Sequence, residues 1–240
     1  ELALGLMRRL LMVAGPTLMN EPGVETAFAD DPAATWRRLF IRLPVLARLL
    51  ATAWRQWHEV TAELLGRIGG DLPELEPGRH PLVGRIELGA GDQHRDGRGV
   101  AALTLADGTR WFYKPRPQGP EAIVSACFAA LDARARDADG SGTGDHDATD
   151  ERFDLTLPRY VEREGYCWVA EVAETACAGE SDVRAWFRRA GASLRVLQLL
   201  GATDLHHENF IATRTQPVLV DVETAIGPGS GWAAAAGRPG

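Results

Sequence analysis

Apolar and polar residues follow two different periods along this chain, and the change from one to the other divides it. Residues 1–70 read as helical, and beyond Pro44 the apolar side chains recur at three-and-four spacing, the period of a helix with one buried face. Asp31-Pro32 has the form of a helix start, and Pro44 divides the helical stretch again. Beyond Pro44, the residues Val45, Leu46, Leu49, Leu50, Ala53, Trp54, Trp57, Val60, Leu64, Leu65 and Ile68 form a single apolar stripe. At that spacing Trp54 and Trp57 read as core rather than as a platform for a ligand. Gly69-Gly70 is expected to end the helix, and residues 73–81, rich in Pro and Gly, read as a loop.

The period then shortens to two, the mark of a half-buried strand. Residues 83–88, 100–105 and 110–114 read as strands, with a tight turn at Ala106-Asp107-Gly108. The first two flank a glycine-rich loop over residues 89–99, and Pro115 and Pro117 stop the third. Residues 121–136 read as a helix. Residues 137–151 are polar, glycine-rich and without apolar period, so a flexible loop is expected. Residues 153–162 and 166–173 read as a hairpin across Arg163-Glu164-Gly165. Ser181 is expected to cap a helix that runs to Leu200 and buries Val183, Trp186, Phe187, Ala190, Leu194, Leu197 and Leu200. Gly201 ends it, and a turn over residues 213–217 leads into a strand over 218–222. The fold class is therefore α+β, with a helical region over 1–72 and a mixed sheet-and-helix core over 73–240.

Composition narrows the function. The 45% hydrophobic and 25% charged residues are ordinary for a soluble globular protein. A net charge of −7 argues against a nucleic-acid-binding surface. Residues 2–19 are apolar, but Arg8-Arg9 and Pro16 interrupt them, so no membrane span and no signal peptide is expected. Cys127, Cys167 and Cys177 have no metal-ligand spacing; they read as small buried hydrophobes in a reducing cytoplasm, with no zinc site.

Of 26 basic residues, Lys114 is the one lysine. A compact ammonium at the end of a strand suits a phosphate better than a forked guanidinium does. Downstream, Thr203-Asp204-Leu205-His206-His207-Glu208-Asn209-Phe210 places an acid and an amide five residues apart, the offset of a kinase catalytic loop. Asp221 follows an apolar run, where a kinase-like enzyme places a metal-binding carboxylate. A glycine-rich strand–loop–strand followed by a strand lysine is the layout of a kinase N-lobe. Glu121, in the next helix, either pairs with Lys114 or favours the helix dipole. Residues 171–174 would form the hinge where adenine docks.

Together, Gly91-Asp92-x-His94-x-x-Gly97-Arg98, Tyr113-Lys114-Pro115-Arg116, Gly165-Tyr166-x-Trp168, the run from Asp204 to Ala212 and the run from Pro217 to Thr224 resemble the dehydratase domain of class II lanthipeptide (lantibiotic) synthetases, the LanM enzymes. The resemblance runs from roughly residue 30 to Thr224. It implies a kinase-like, distantly lipid-kinase-like domain that phosphorylates Ser and Thr of a ribosomal precursor peptide with Mg²⁺ and ATP. Elimination of the phosphate then leaves dehydroalanine or dehydrobutyrine. By motif position, Lys114 would contact the ATP phosphates, with Arg98, Glu121 and Glu223 on the cofactor side. Asp204 would be the catalytic acid/base with His206 beside it, and Asn209 and Asp221 would hold Mg²⁺. Asp92 and His94 would serve the phosphate-handling loop. The segment for elimination and the zinc cyclase of that family are expected beyond Gly240, so this chain reads as a partial dehydratase domain, poorly soluble or unstable alone. A small-molecule phosphotransferase of the aminoglycoside-kinase kind, and a non-catalytic remnant that binds nucleotide or peptide, are the competing readings.

Overall fold

A computed structural model describes residues 2–78, 80–93, 97–139, 154–203, 205–222 and 224–226, with the backbone alone for 90–93 and 135–139. It combines helices with antiparallel sheet, and it divides into two compact units, residues 1–115 and 116–240.

The first unit opens with four helices: α1 (Leu2–Leu18), α2 (Val24–Asp30), α3 (Pro32–Arg42) and α4 (Pro44–Leu75). Asp31 caps α3 as the sequence predicts, its carboxylate accepting from the Ala34 N–H at 2.9 Å with Pro32 next in line. The α4 helix runs through Gly69-Gly70 and Pro73 instead of ending there. Two glycines cost about 1 kcal/mol each in a helix interior, but Ile68, Asp71 and Leu75 are buried on the packed side, and Leu75 is fully enclosed. Burial of the next turn therefore outweighs local propensity. The packed side is also narrower than the apolar stripe. Leu46, Ala53, Thr61, Leu64 and Ile68 face inward, whereas Val45, Leu49, Trp54 and Leu65 are exposed. Trp54 is thus outside the core, stacked on the His58 ring at 5.7 Å.

The strands β1 (Val83–Gln93), β2 (Gly99–Leu105) and β3 (Arg110–Lys114) form an antiparallel meander. Leu103 faces Trp111 across β2 and β3, and Ala101 faces Tyr113; all four are buried. The turn at Ala106-Asp107-Gly108 is present: Asp107 accepts from the Thr109 N–H at 2.9 Å, and Gly108 takes φ +90°, a conformation that suits glycine. β1 continues to Gln93, which pairs with Gly99, so the glycine-rich loop expected over 89–99 is mostly strand. A register shift between Leu88 and Gln93 absorbs the glycines.

The second unit holds α5 (Pro120–Asp139), the hairpin β4 (Tyr160–Arg163) and β5 (Tyr166–Ala170), α6 (Glu180–Leu199), and the hairpin β6 (Phe210–Thr213) and β7 (Gln216–Leu219). The strands are shorter than the alternation suggests, because residues 154–159 and 171–174 follow irregular paths on either side of the first hairpin. Gly165 makes its turn with φ +81°. The loop expected over 137–151 begins inside α5, which reaches Asp139; residues 140–151 lie outside the described residues. Val124, Phe128, Leu155, Val196, Leu197, Leu200, Leu219, Val222 and Ala225 form one core, joining α5 and α6 to the β6–β7 hairpin. On α6 the inward face is Ala190, Ser193, Val196 and Leu197, while Val183, Phe187 and Leu194 are exposed. Ser181 does not cap α6: Gly179 holds that position, and the Asp182 carboxylate accepts from the Ala178 N–H at 2.9 Å. The same carboxylate oxygen also accepts from Arg214 Nε at 2.8 Å. Of the cysteines, Cys167 is buried and Cys127 half-buried, but Cys177 is exposed and donates its S–H to the Arg214 carbonyl.

Candidate active site

The β6–β7 hairpin organises the candidate site in the second unit. Its four residue pairs run from Phe210–Leu219 at the open end to Thr213–Gln216 at the turn. One further hydrogen bond, from the Val220 N–H to the Asn209 carbonyl at 2.9 Å, extends the ladder. Asn209 and Asp221 therefore leave the same end of one hairpin, although twelve positions separate them in the chain. The preceding loop is held in shape by the Asn209 side chain. Residues His207–Asn209 form a single 3₁₀ turn, and Asn209 Oδ1 accepts from the His206 N–H at 3.0 Å. The Thr224 hydroxyl donates to the Thr203 carbonyl, so both ends of the acidic loop are tied to the segment that follows the hairpin.

Around Asp221 lies a cluster of charge. Arg116 Nη2 is 2.9 Å from Glu121 Oε1 and 3.7 Å from Asp221 Oδ1. Glu121 is wholly buried, and its other oxygen accepts from the Gly119 N–H at 2.9 Å. Burial pushes the Glu121 carboxyl up. Hydrogen bonds from Arg116 and from the Glu121 and Gly119 amides, together with the guanidinium charge, bring it below the ordinary carboxylate range. Tyr160, on β4, has its hydroxyl enclosed, with no hydrogen-bond partner among the described residues. Burial first, and then the negative charge of Glu121, drive the Tyr160 hydroxyl strongly up.

Other expected site residues stand in the first unit. Lys114 ends β3 with 9% of its surface exposed. Arg98 binds Glu63 of α4 at 2.8 Å. Glu63 also holds Arg67 at 2.6 Å, and Arg67 in turn donates to the Tyr113 hydroxyl. The side chains of Asp92, His94, Asp204 and Glu223 lie outside the described residues. His206 is described: its Nδ1 is 3.6 Å from Glu208 Oε2, and its side chain is 45% exposed.

Sequence reasoning passed over two members of the cluster. Arg116 stood in plain view as the last residue of Tyr113-Lys114-Pro115-Arg116. Tyr160 carried no local signal, because its neighbours come together only through the fold.

The Mg²⁺ implied by the resemblance can be tested against this donor set. Asn209 offers an amide oxygen that already accepts one hydrogen bond, which fixes its direction and leaves its second lone pair. Asp221 offers a carboxylate 37% exposed, beside a guanidinium at ion-pair distance. Hard oxygen donors of this kind, one neutral and one charged, fit Mg²⁺. Among the described residues, no three His, Cys, Asp or Glu side chains converge as a metal site.

Residues 43–238 match the family described as Domain of unknown function (DUF4135). The chain belongs to this family. DUF4135 here covers both the α4 helix and the hairpin that carries Asn209 and Asp221. The chain is also similar to the lacticin 481/lactococcin biosynthesis protein LcnDR2 of Lactococcus lactis subsp. lactis, 25% identical over 145 residues. That alignment takes in 60% of this chain and 15% of LcnDR2. Both findings support a relationship of this DUF4135 chain to lanthipeptide synthetases. Among the described residues, no helix is long and apolar enough to cross a membrane.

Proposed function

We propose that this DUF4135 chain is part of a lanthipeptide-modifying enzyme and carries the phosphorylating site of its dehydratase, a kinase-like lobe acting on Ser and Thr of a precursor peptide. The observation that carries this reading is the Val220–Asn209 hydrogen bond, which sets Asn209 and Asp221 at one end of one hairpin. Similarity to a lacticin biosynthesis protein supports the peptide as substrate.

In this reading Mg²⁺ and ATP, when bound, supply the phosphoryl group and neutralise the charge that develops as it moves. Asp204 accepts the proton from the Ser or Thr hydroxyl oxygen, and His206 stands beside it in the same loop. Asn209 Oδ1 and the Asp221 carboxylate would hold the cation. By motif position, Lys114 would contact the phosphates with Arg98 on the cofactor side, Asp92 and His94 would serve the phosphate-handling loop, and Glu223 completes the Asp-x-Glu pattern. Glu121 acts through Arg116, since that is where its carboxylate is held.

The test is mass spectrometry of a leader-bearing peptide containing Ser, Thr and Cys, incubated with the protein, ATP and Mg²⁺. Gain of phosphate or loss of water from the peptide is expected, and neither should occur when Asp221→Asn replaces the wild type. An unchanged peptide with ATP turned over by free small molecules would instead assign a small-molecule phosphotransferase.

A further inference from the structure

One guanidinium nitrogen is shared between two carboxylates in unequal measure. Arg116 Nη2 lies 2.9 Å from Glu121 and 3.7 Å from Asp221. The stronger bond goes to the carboxylate that cannot leave: Glu121 has no exposed surface, and both of its oxygens are engaged, one by Arg116 and one by the Gly119 N–H. The weaker contact goes to Asp221, which remains partly open to solvent. A bidentate fork on Asp221 would block that carboxylate. At 3.7 Å the Arg116 contact offsets part of the Asp221 charge.

We propose that Arg116 is a built-in counter-cation for Asp221, anchored by Glu121, which a divalent cation must compete with to bind. This rests on the reading of Asp221 as a cation ligand. Arg116 is then a positioning residue: it holds the carboxylate in place before the cation arrives and lowers the affinity for the bare ion. The penalty falls when the cation enters with a polyanionic ligand, whose charge the guanidinium also favours. Cation loading is thereby made conditional on that ligand.

Two unit charges about 4 Å apart at a solvated site interact by an amount equivalent to about a fivefold change in affinity. The experiment titrates the whole chain with Mn²⁺ alone and reads the free aquo ion by electron paramagnetic resonance. Asp221→Asn should weaken binding about tenfold or more. Replacing the pair together, Arg116→Met with Glu121→Gln, should tighten it about three- to tenfold. Glu121→Gln by itself should weaken it, because the guanidinium loses its anchor and closes on Asp221. A merely structural pair would not shift affinity in opposite directions. If Asp221→Asn weakens binding but the paired variant binds as the wild type or more weakly, the counter-cation role is wrong and the cation site stands. If Asp221→Asn binds as the wild type, the cation reading falls and takes this proposal with it. Circular dichroism checks the fold of each variant. Should the paired variant fail to fold, Glu121→Gln decides alone, and unchanged or tighter binding overturns the proposal.

Discussion

The Glu121 carboxylate is completely enclosed, and burial alone would push its carboxyl up; Arg116, 2.9 Å away, supplies the opposite charge that helps hold it below the ordinary carboxylate range. Breaking one side of such a pair leaves a buried charge uncompensated, whereas removing both sides does not. Arg116→Met should therefore destabilise the second unit by about 3–5 kcal/mol. The same change combined with Glu121→Gln should cost much less. Urea unfolding of the two single variants and the double variant measures this as a coupling energy. Independent, additive costs would show that the pair carries no such interaction.

The pH dependence follows from the direction of the Glu121 shift. Its folded value lies below the ordinary 4.5, so the unfolded chain binds the proton more readily. The stability that Glu121 contributes is fully present above about pH 4.5 and is lost as pH falls through the lowered value. Glu121→Gln should flatten the acid limb of the stability curve. An unchanged acid limb in denaturant titrations from neutral to acidic pH would assign that limb to other carboxylates.

Among the described residues, the enclosed Tyr160 hydroxyl has no hydrogen-bond partner. Such a group costs free energy in the folded state. Tyr160→Phe is expected to leave stability unchanged or to raise it by up to about 1 kcal/mol, as seen in the thermal midpoint. A clear loss of stability would reveal a partner for that hydroxyl.

Gly70 sits inside α4, exposed, and a Cβ there would meet nothing within 4 Å. Gly70→Ala should stabilise the first unit by roughly 0.5–1 kcal/mol, because the unfolded chain loses freedom and the helix loses none. A destabilised protein would mean that α4 ends at the glycines after all. Leu75→Ala is the complement, and it should cost about 2–5 kcal/mol if the turn beyond the glycines is packed.

Asp204→Asn tests the proposed chemistry most directly. Loss of a general base lowers the rate by about 10²–10⁴-fold. Peptide phosphorylation at the wild-type rate, measured by quenched mass spectrometry, would remove Asp204 from the mechanism.

Much of this fold was legible because local rules and packing agree. Asp31-Pro32 starts α3, Pro44 starts α4, Gly108 turns the second strand into the third, and Lys114 stands on that third strand. The sequence misled where packing overrode the local signal. Gly69-Gly70 reads as a stop, but Leu75 is buried beyond it. The stripe on α6 reads as a buried face of seven residues, yet the helix is rotated so that Val183, Phe187 and Leu194 look outward. Ser181 reads as a cap, but α6 begins one residue earlier, at Glu180, with Gly179 at the cap position. In the site, spacing singled out Asn209 and Asp221, and the hairpin brings both to one end. Nothing in spacing could foretell that Arg116 reaches both Glu121 and Asp221, since that triangle joins three separate segments.

Residues 171–178 lead from β5 towards α6, and Thr175 is fastened by two backbone hydrogen bonds to the β6 strand and the turn that follows it. Its N–H donates to the Ala212 carbonyl at 3.0 Å, and its carbonyl accepts from the Arg214 N–H at 2.7 Å. The segment after β5 is thereby tied to the hairpin whose first strand, β6, begins immediately after Asn209. The stretch expected to border an adenine ring and the residue expected to meet a cation thus share one backbone framework, so a change of path in either is felt through the same few amides.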